Sequence, residues 1–162
     1  MSEQAATPAV TPEEWQAWRS FIMMRSQLDL ALERSLQQNA GISGADYSVL
    51  ITLFEAPCKR LRANELGAAL AWEKSRVSHQ VSRMKKRELV ERRECDTDAR
   101  GTWVGMTSAG SLAVLGAMRD HATSLRRYFF DALTPHELET ILSASSKIID
   151  VLEPENCAQL DK

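Results

Sequence analysis

Lys74, Arg76, Arg83, Lys85, Lys86, Arg87, Arg92 and Arg93 fall within twenty consecutive residues, accompanied by only two acids, Glu88 and Glu91. This segment carries +6 in a chain whose net charge is −2, so the remainder carries −8. A basic patch on an acidic body turns that patch toward a polyanion. A charge run by itself also describes a solvated helix face. The residues interleaved with the charges decide between the two.

Within the run, Val77, Val81 and Met84 stand at spacing i, i+4, i+7, the inner stripe of an amphipathic helix expected over Ser75 to Arg87. The outer face is assigned Arg76, His79, Gln80 and Arg83. Leu89 to Cys95 and Thr102 to Thr107 read as two strands joined by a turn at Asp96–Gly101. A basic helix followed at once by a charged hairpin is the order in which a winged helix-turn-helix meets DNA. The helix enters the major groove and the hairpin tip reaches an adjacent minor groove. Arg76 suits a guanine edge and Gln80 an adenine edge, with His79 and Arg83 beside them. Ser75 and Ser78 suit phosphate contact or helix capping, and Lys74 and Lys86 suit phosphate anchoring or plain solvation. Arg100 at the hairpin tip suits a narrow minor groove. Asp98 either orients Arg100 through a salt bridge or is an ordinary turn residue.

The rest of the chain supplies helices around this pair. Thr11-Pro12-Glu13-Glu14 is a helix start, and the helix is expected to run to about Asn39 before Gly41. Trp18, Phe21, Leu28, Leu32 and Leu36 give it an apolar stripe. Ser43-Gly-Ala-Asp46 opens a second helix, which stops at Pro57. Lys59-Arg60-Leu61-Arg62 reads as a short linker with at most a β-bridge. Ala63 to Leu70 is a short helix, and a turn at Ala71–Lys74 leads to the basic helix, which completes a helix-turn-helix. Thr107 should cap a long helix to about Ala132, and Thr134-Pro135-His-Glu137 starts a last one to about Leu152.

Composition narrows the function class. The chain has 162 residues, room for one domain with arms. Cys58, Cys95 and Cys157 are odd in number and lack metal spacing, which fits free thiols in a reducing cytoplasm. The start lacks the basic and apolar regions of a signal peptide, and apolar runs such as Leu112–Met118 are too short to span a bilayer. No catalytic motif, phosphate loop or dinucleotide fingerprint occurs, and His79, His121 and His136 lie far apart. The expectation is no enzyme, no catalytic residues, no metal and no cofactor.

The chain resembles the multiple-antibiotic-resistance regulator (MarR) family of winged-helix transcription factors over about residues 13–152. The resemblance is carried by Gly44-Ala-Asp-Tyr47, Leu66-Gly-Ala-Ala-Leu70, Trp72-Glu-Lys-Ser-Arg-Val-Ser-His-Gln-Val-Ser-Arg-Met84, Leu89-Val-Glu-Arg92, Asp98-Ala-Arg100 and Met106-Thr-Ser-Ala-Gly110. Similar proteins carry Gly where Glu88 stands, so this position either ends the helix differently or bears strain. The resemblance implies an obligate homodimer on an inverted-repeat operator, with repression relieved by a small phenolic or other lipophilic ligand.

The expected fold is therefore mainly α with a small β-hairpin wing: a winged helix-turn-helix with N- and C-terminal helical dimerisation arms. The domains expected are a disordered 1–11, a dimerisation helix 12–40, a DNA-binding lobe 41–107, dimerisation helices 108–153 and a tail 154–162. The expected partners are double-stranded DNA, a second copy of the chain and a small aromatic or lipophilic ligand, with no membrane. Trp15, Trp18, Arg19 and Tyr47 are candidates for a ligand wall between arm and lobe, or for packing at the dimer interface. The alternative function is a winged-helix adaptor that binds protein without reading DNA sequence. Salt dependence and operator preference separate the two.

Overall fold

The computed structural model describes residues 9–95 and 98–152, and the side chains of 94–101 lie outside the description. Of the expected disordered start and the tail, residues 1–8 and 153–162 also lie outside it.

Local sequence sets the helix ends. The Glu14 N–H donates to the Thr11 hydroxyl at 3.2 Å, and the Thr11 N–H donates to the Glu14 carboxylate at 2.7 Å. Pro12 takes the first helical position, where its missing N–H costs nothing. The helix so started, α1, spans Pro12–Ala40 and ends at Gly41, left-handed at φ 64°. Ser43 and Asp46 make the same reciprocal cap for α2, Gly44–Glu55, each bond at 3.0 Å. Val49, Leu50 and Leu53 of α2 are buried at the centre of the core.

A 3-10 turn, Pro57–Lys59, leads to β1, Arg60–Arg62. The short helix α3 spans Ala63–Leu70 and the basic helix α4 spans Lys74–Lys86. Between them Ala71 stands left-handed at φ 50°, its N–H donating to Ala68 and the Trp72 N–H donating to Gly67. Strands β2, Val90–Cys95, and β3, Asp98–Met106, form the hairpin. The sheet order is β1-β3-β2, antiparallel throughout.

Two sequence expectations need correcting here. The Arg60–Arg62 segment is a true edge strand on β3, not a linker, so the wing sheet has three strands. The hairpin is also tighter: β3 begins at Asp98, placing 98–101 in the strand and leaving residues 96 and 97, outside the description, to connect it.

Thr107 caps α5, Ser108–Tyr128, accepting from the Gly110 N–H at 3.0 Å. This helix stops four residues short of the expected Ala132; the chain continues as a 3-10 turn, Phe130–Ala132. The last helix, α6, spans Pro135–Leu152 behind a Thr134–Glu137 cap. The Glu137 carboxyl sits below its usual range because the Thr134 N–H and hydroxyl hydrogen-bond it.

The chain divides into two compact units at His121/Ala122. In the first, Leu50, Leu53, Leu66, Val81, Met84, Val90, Val104 and Val114 are fully enclosed. In the second, Arg126 approaches Asp131 at 3.8 Å and lies over Phe130. Among the described residues no helix is long and apolar enough to cross a membrane.

Candidate nucleic-acid interface

Helix α4 has two faces with different surroundings. Val77, Val81 and Met84 are buried in the lobe core, as their spacing predicts. Lys74, Ser75, Arg76, Ser78, His79, Arg83, Lys85 and Lys86 are exposed. Packing against α2 and α3 fixes the helix as a rigid carrier for them.

Gln80 departs from the expectation. The sequence places it on the outer face, yet only 2% of it is exposed. It lies three residues after Val77 and four before Met84, so the helical period places it at the margin of the buried arc. Its Nε2 donates to Asp46 Oδ1 at 2.7 Å, and its Oε1 accepts from the Arg83 guanidinium. Both ends of the amide are occupied inside the protein, which removes Gln80 from the base-reading set.

Several of the arginines have specific supports. The Arg76 guanidinium stacks on Trp72, 4.1 Å from the ring centroid, at an i, i+4 spacing that was visible in the sequence. Arg92 of β2 donates to the Ser78 carbonyl at 2.9 Å and ties the wing to α4. Arg87, just past α4, pairs with Asp46 at 2.6 Å and donates to the Gly41 carbonyl at 2.8 Å. The sequence placed Arg87 and Arg92 only in the basic run, and gave Trp72 and Asp46 no site role. The Arg87–Asp46 pair spans 41 residues, a separation at which no local pattern reports contact.

On the outer face of the wing sheet Arg60 and Arg62 both lie over Trp103, at 5.2 and 5.4 Å. Arg93 on the neighbouring strand is paired with Glu91 at 2.9 Å. Asp98 and Arg100 occupy the start of β3, at the hairpin end of the strand; their side chains, and with them the expected salt bridge, lie outside the description.

A cavity of about 580 Å³ opens between α3, α4 and β3. Arg62, Lys74, Ser78 and Arg92 give it cationic and hydroxyl groups; Trp72, Val77, Val81 and Val104 give it apolar walls. The expected ligand wall is elsewhere and is not assembled within one chain. Trp15, Trp18 and Arg19 lie exposed near the start of α1, where Trp18 packs on Phe21 at 6.0 Å. The lobe end of α1 reaches α2: Glu33 accepts from the Gly44 N–H at 2.6 Å and Leu36 is buried in the core. Trp18 is about 22 Å from Glu33 along the helix axis at ~1.5 Å per residue. Tyr47 instead packs on His121, ring centroids 4.5 Å apart.

Searching curated proteins by sequence finds no match. The MarR family model matches residues 40–101, the lobe that carries α2 to β3. The fold is similar to Sco3205, a MarR family transcriptional regulator from Streptomyces coelicolor crystallised in complex with DNA. That likeness has a TM-score of 0.87 and 32% identity, over 94% of this chain and 96% of Sco3205. AbsC, another MarR family transcriptional regulator of Streptomyces coelicolor, is similar at TM-score 0.85 and 33% identity, over 92% and 100% of the two chains. Bordetella bronchiseptica BpsR, whose DNA binding is regulated by 6-hydroxynicotinic acid, shares the fold at TM-score 0.72 and 18% identity, over 83% and 99%. With relatives this similar along almost their whole length, and the family model falling on the lobe that holds the basic helix, the chain belongs to the MarR family of transcriptional regulators.

Proposed function

We propose that this protein is a sequence-specific DNA-binding regulator, acting as a homodimer in the cytoplasm and repressing from an inverted-repeat operator. One observation carries the reading. A single helix buries Val77, Val81 and Met84 while presenting Lys74, Ser75, Arg76, Ser78, His79, Arg83 and Lys86 outward. Arg76 and Arg83 meet base edges, His79 stands between them, and Lys74, Ser75, Ser78 and Lys86 meet phosphate. In this reading Arg100 enters the minor groove from the wing and Asp98 orients it. The Streptomyces coelicolor relative crystallised with DNA supports the same use of the fold.

Two copies are required because half-sites about 34 Å apart need two recognition helices. Trp15, Trp18, Phe21 and Ile22 on α1 and Leu142, Ile148, Ile149 and Leu152 on α6 are all exposed in the single chain. We assign these faces, Trp15 and Trp18 included, to the partner copy. The releasing ligand is a small anionic aromatic molecule. The cavity beside α4 suits it, with Lys74 and Arg92 for a carboxylate and Trp72 for a ring. A ligand there would occupy the space of Lys74 and Ser78 and so compete with DNA. No catalytic step belongs to this reading.

The test is fluorescence anisotropy on duplexes flanking the protein's own gene, at two salt concentrations. A preferred duplex should emerge, with affinity falling steeply with salt, by about −0.9 in log–log slope per phosphate contact. Equal binding to every duplex, or none, overturns the reading.

A further inference from the structure

Two helices of the lobe, α2 and α4, meet at one buried carboxylate. Asp46 is 3% exposed, and its two oxygens serve different partners. Oδ2 accepts from the Ser43 N–H at 3.0 Å and from Arg87 Nη1 at 2.6 Å. Oδ1 accepts from Gln80 Nε2 at 2.7 Å. A carboxylate in an ion pair has no donor to offer. Gln80 must therefore face it with Nε2, which turns Oε1 toward the Arg83 guanidinium that donates to it. Reversing the amide would set two donors against each other at Arg83 and two acceptors at Asp46. Asp46 thus determines the polarity of the Gln80 amide, and that polarity determines whether Arg83 is held or repelled. Arg87 carries the same cluster to the Gly41 carbonyl at the end of α1.

The geometry points to Asp46 and Gln80 as positioning residues for DNA recognition: Asp46 orients the Gln80 amide, and Gln80 holds the Arg83 guanidinium in the direction in which it meets the duplex. The inference rests on the DNA-binding reading above. Neither residue touches DNA; the cluster spares Arg83 part of the rotamer entropy of binding, before DNA arrives.

The distinct duties of the two oxygens make a donor swap possible. In Asp46→Asn the amide cannot serve Gln80 without losing either Arg87 or the Gln80–Arg83 bond. In Asp46→Asn with Gln80→Glu, Oδ1 of the asparagine replaces Oδ2 toward Ser43 and Arg87. Its Nδ2 then donates to the glutamate, whose second oxygen accepts from Arg83.

The experiment uses the full chain and a short duplex selected by the wild-type protein from a randomised pool, with the unselected pool as control and thermal melts alongside. Arg83→Ala and Gln80→Met should each weaken the selected duplex about tenfold. The two together should also cost about tenfold, not about a hundredfold, because they remove one shared interaction. Gln80→Met removes no charge, so its affinity for the unselected pool should stay within about twofold. Asp46→Asn should weaken the selected duplex similarly, and the swap pair should return to within about threefold of wild type. If the single losses multiply, if Gln80→Met weakens pool and selected duplex alike, or if the swap binds no better than Asp46→Asn, the positioning role is overturned while the DNA-binding reading stands. If Gln80→Met does not fold, the swap pair decides alone. A wild-type protein that selects nothing from the pool overturns both.

Discussion

At Glu88 one residue records a conflict between sequence and backbone. The Leu89 N–H donates to Met84 and the Glu88 N–H to Lys85, each at 3.0 Å, which is the hydrogen-bonded ending that wants a left-handed residue after the helix. Glu88 supplies it at φ 59°. Of the two sequence readings of this position, the helix ending in its ordinary way under strain is the one observed. Glu88→Gly should raise stability by about 1 kcal/mol, the relief of strain less the added entropy of an unfolded glycine. A thermal melt would read this as a rise of ~2–4 °C, and an unchanged or lower midpoint would sink the account. His121 gives a second prediction. Its Nδ1 is buried without a hydrogen-bond partner, and burial lowers its pKa from the usual 6.5. The folded state then favours the neutral ring, so the unfolded chain binds more protons as pH falls through that range, and stability falls with it. Melts between pH 7.5 and pH 5.5, about one unit either side of the ordinary histidine pKa, should show a decline that shrinks in His121→Phe. An identical decline in both would remove His121 from the cause. Which side chains of α4 face outward was legible where helical spacing decided it, as for Arg76 and Arg83. Gln80 was not legible, because a polar side chain on a basic helix points outward unless a buried partner holds it. Its burial depends on Asp46, 34 residues away.

At the scale of elements, the joint between wing and α5 leaves no room for a side chain. A Cβ on Gly110 would stand 2.1 Å from the Leu89 carbonyl oxygen and 3.1 Å from Leu50 Cδ2. The oxygen cannot retreat, because it also accepts from the Thr107 N–H and hydroxyl at 3.3 and 3.0 Å. Gly110→Ala must therefore lift the first turn of α5 from the sheet, at a cost of about 3 kcal/mol. Urea unfolding should show it, while Ala109→Ser on the exposed neighbour should change little; equal midpoints for the two variants would refute the close approach. Helix starts were the most legible elements, since a Thr or Ser followed three residues later by Glu or Asp recurs at Thr11, Ser43 and Thr134 and caps in each case. The β1 strand was not legible. It is three residues long, and its partner in β3 lies some forty residues away, so nothing local marks it.

At the scale of the whole molecule, the single chain leaves unpartnered what its sequence marked as apolar. The α1 stripe is buried at Leu36, yet Trp18 and Phe21 are 54% and 48% exposed. On α6, Leu142, Ile148 and Leu152 are 70%, 60% and 72% exposed. That apolar faces existed was legible from helical spacing; how a second copy covers them was not, because the sequence of one chain carries no register for its partner. Covering them by a two-fold copy buries each stripe with a single interface design. Introducing charge there should separate the copies without disturbing the lobe, whose core is closed in the single chain. The wild type is expected to sediment as a dimer at micromolar concentration, and Phe21→Glu with Leu142→Glu as a monomer. Each α4 would keep its basic face, so one half-site should still bind. The second half-site would no longer be held at an effective concentration near millimolar, and affinity for the full inverted repeat should fall by about 10²–10⁴-fold. The duplex carrying a single half-site is the control: its affinity should hardly change. A charged variant that stays dimeric would place the interface elsewhere. One that turns monomeric yet binds the full repeat as tightly as wild type would show that the second copy contributes nothing to recognition.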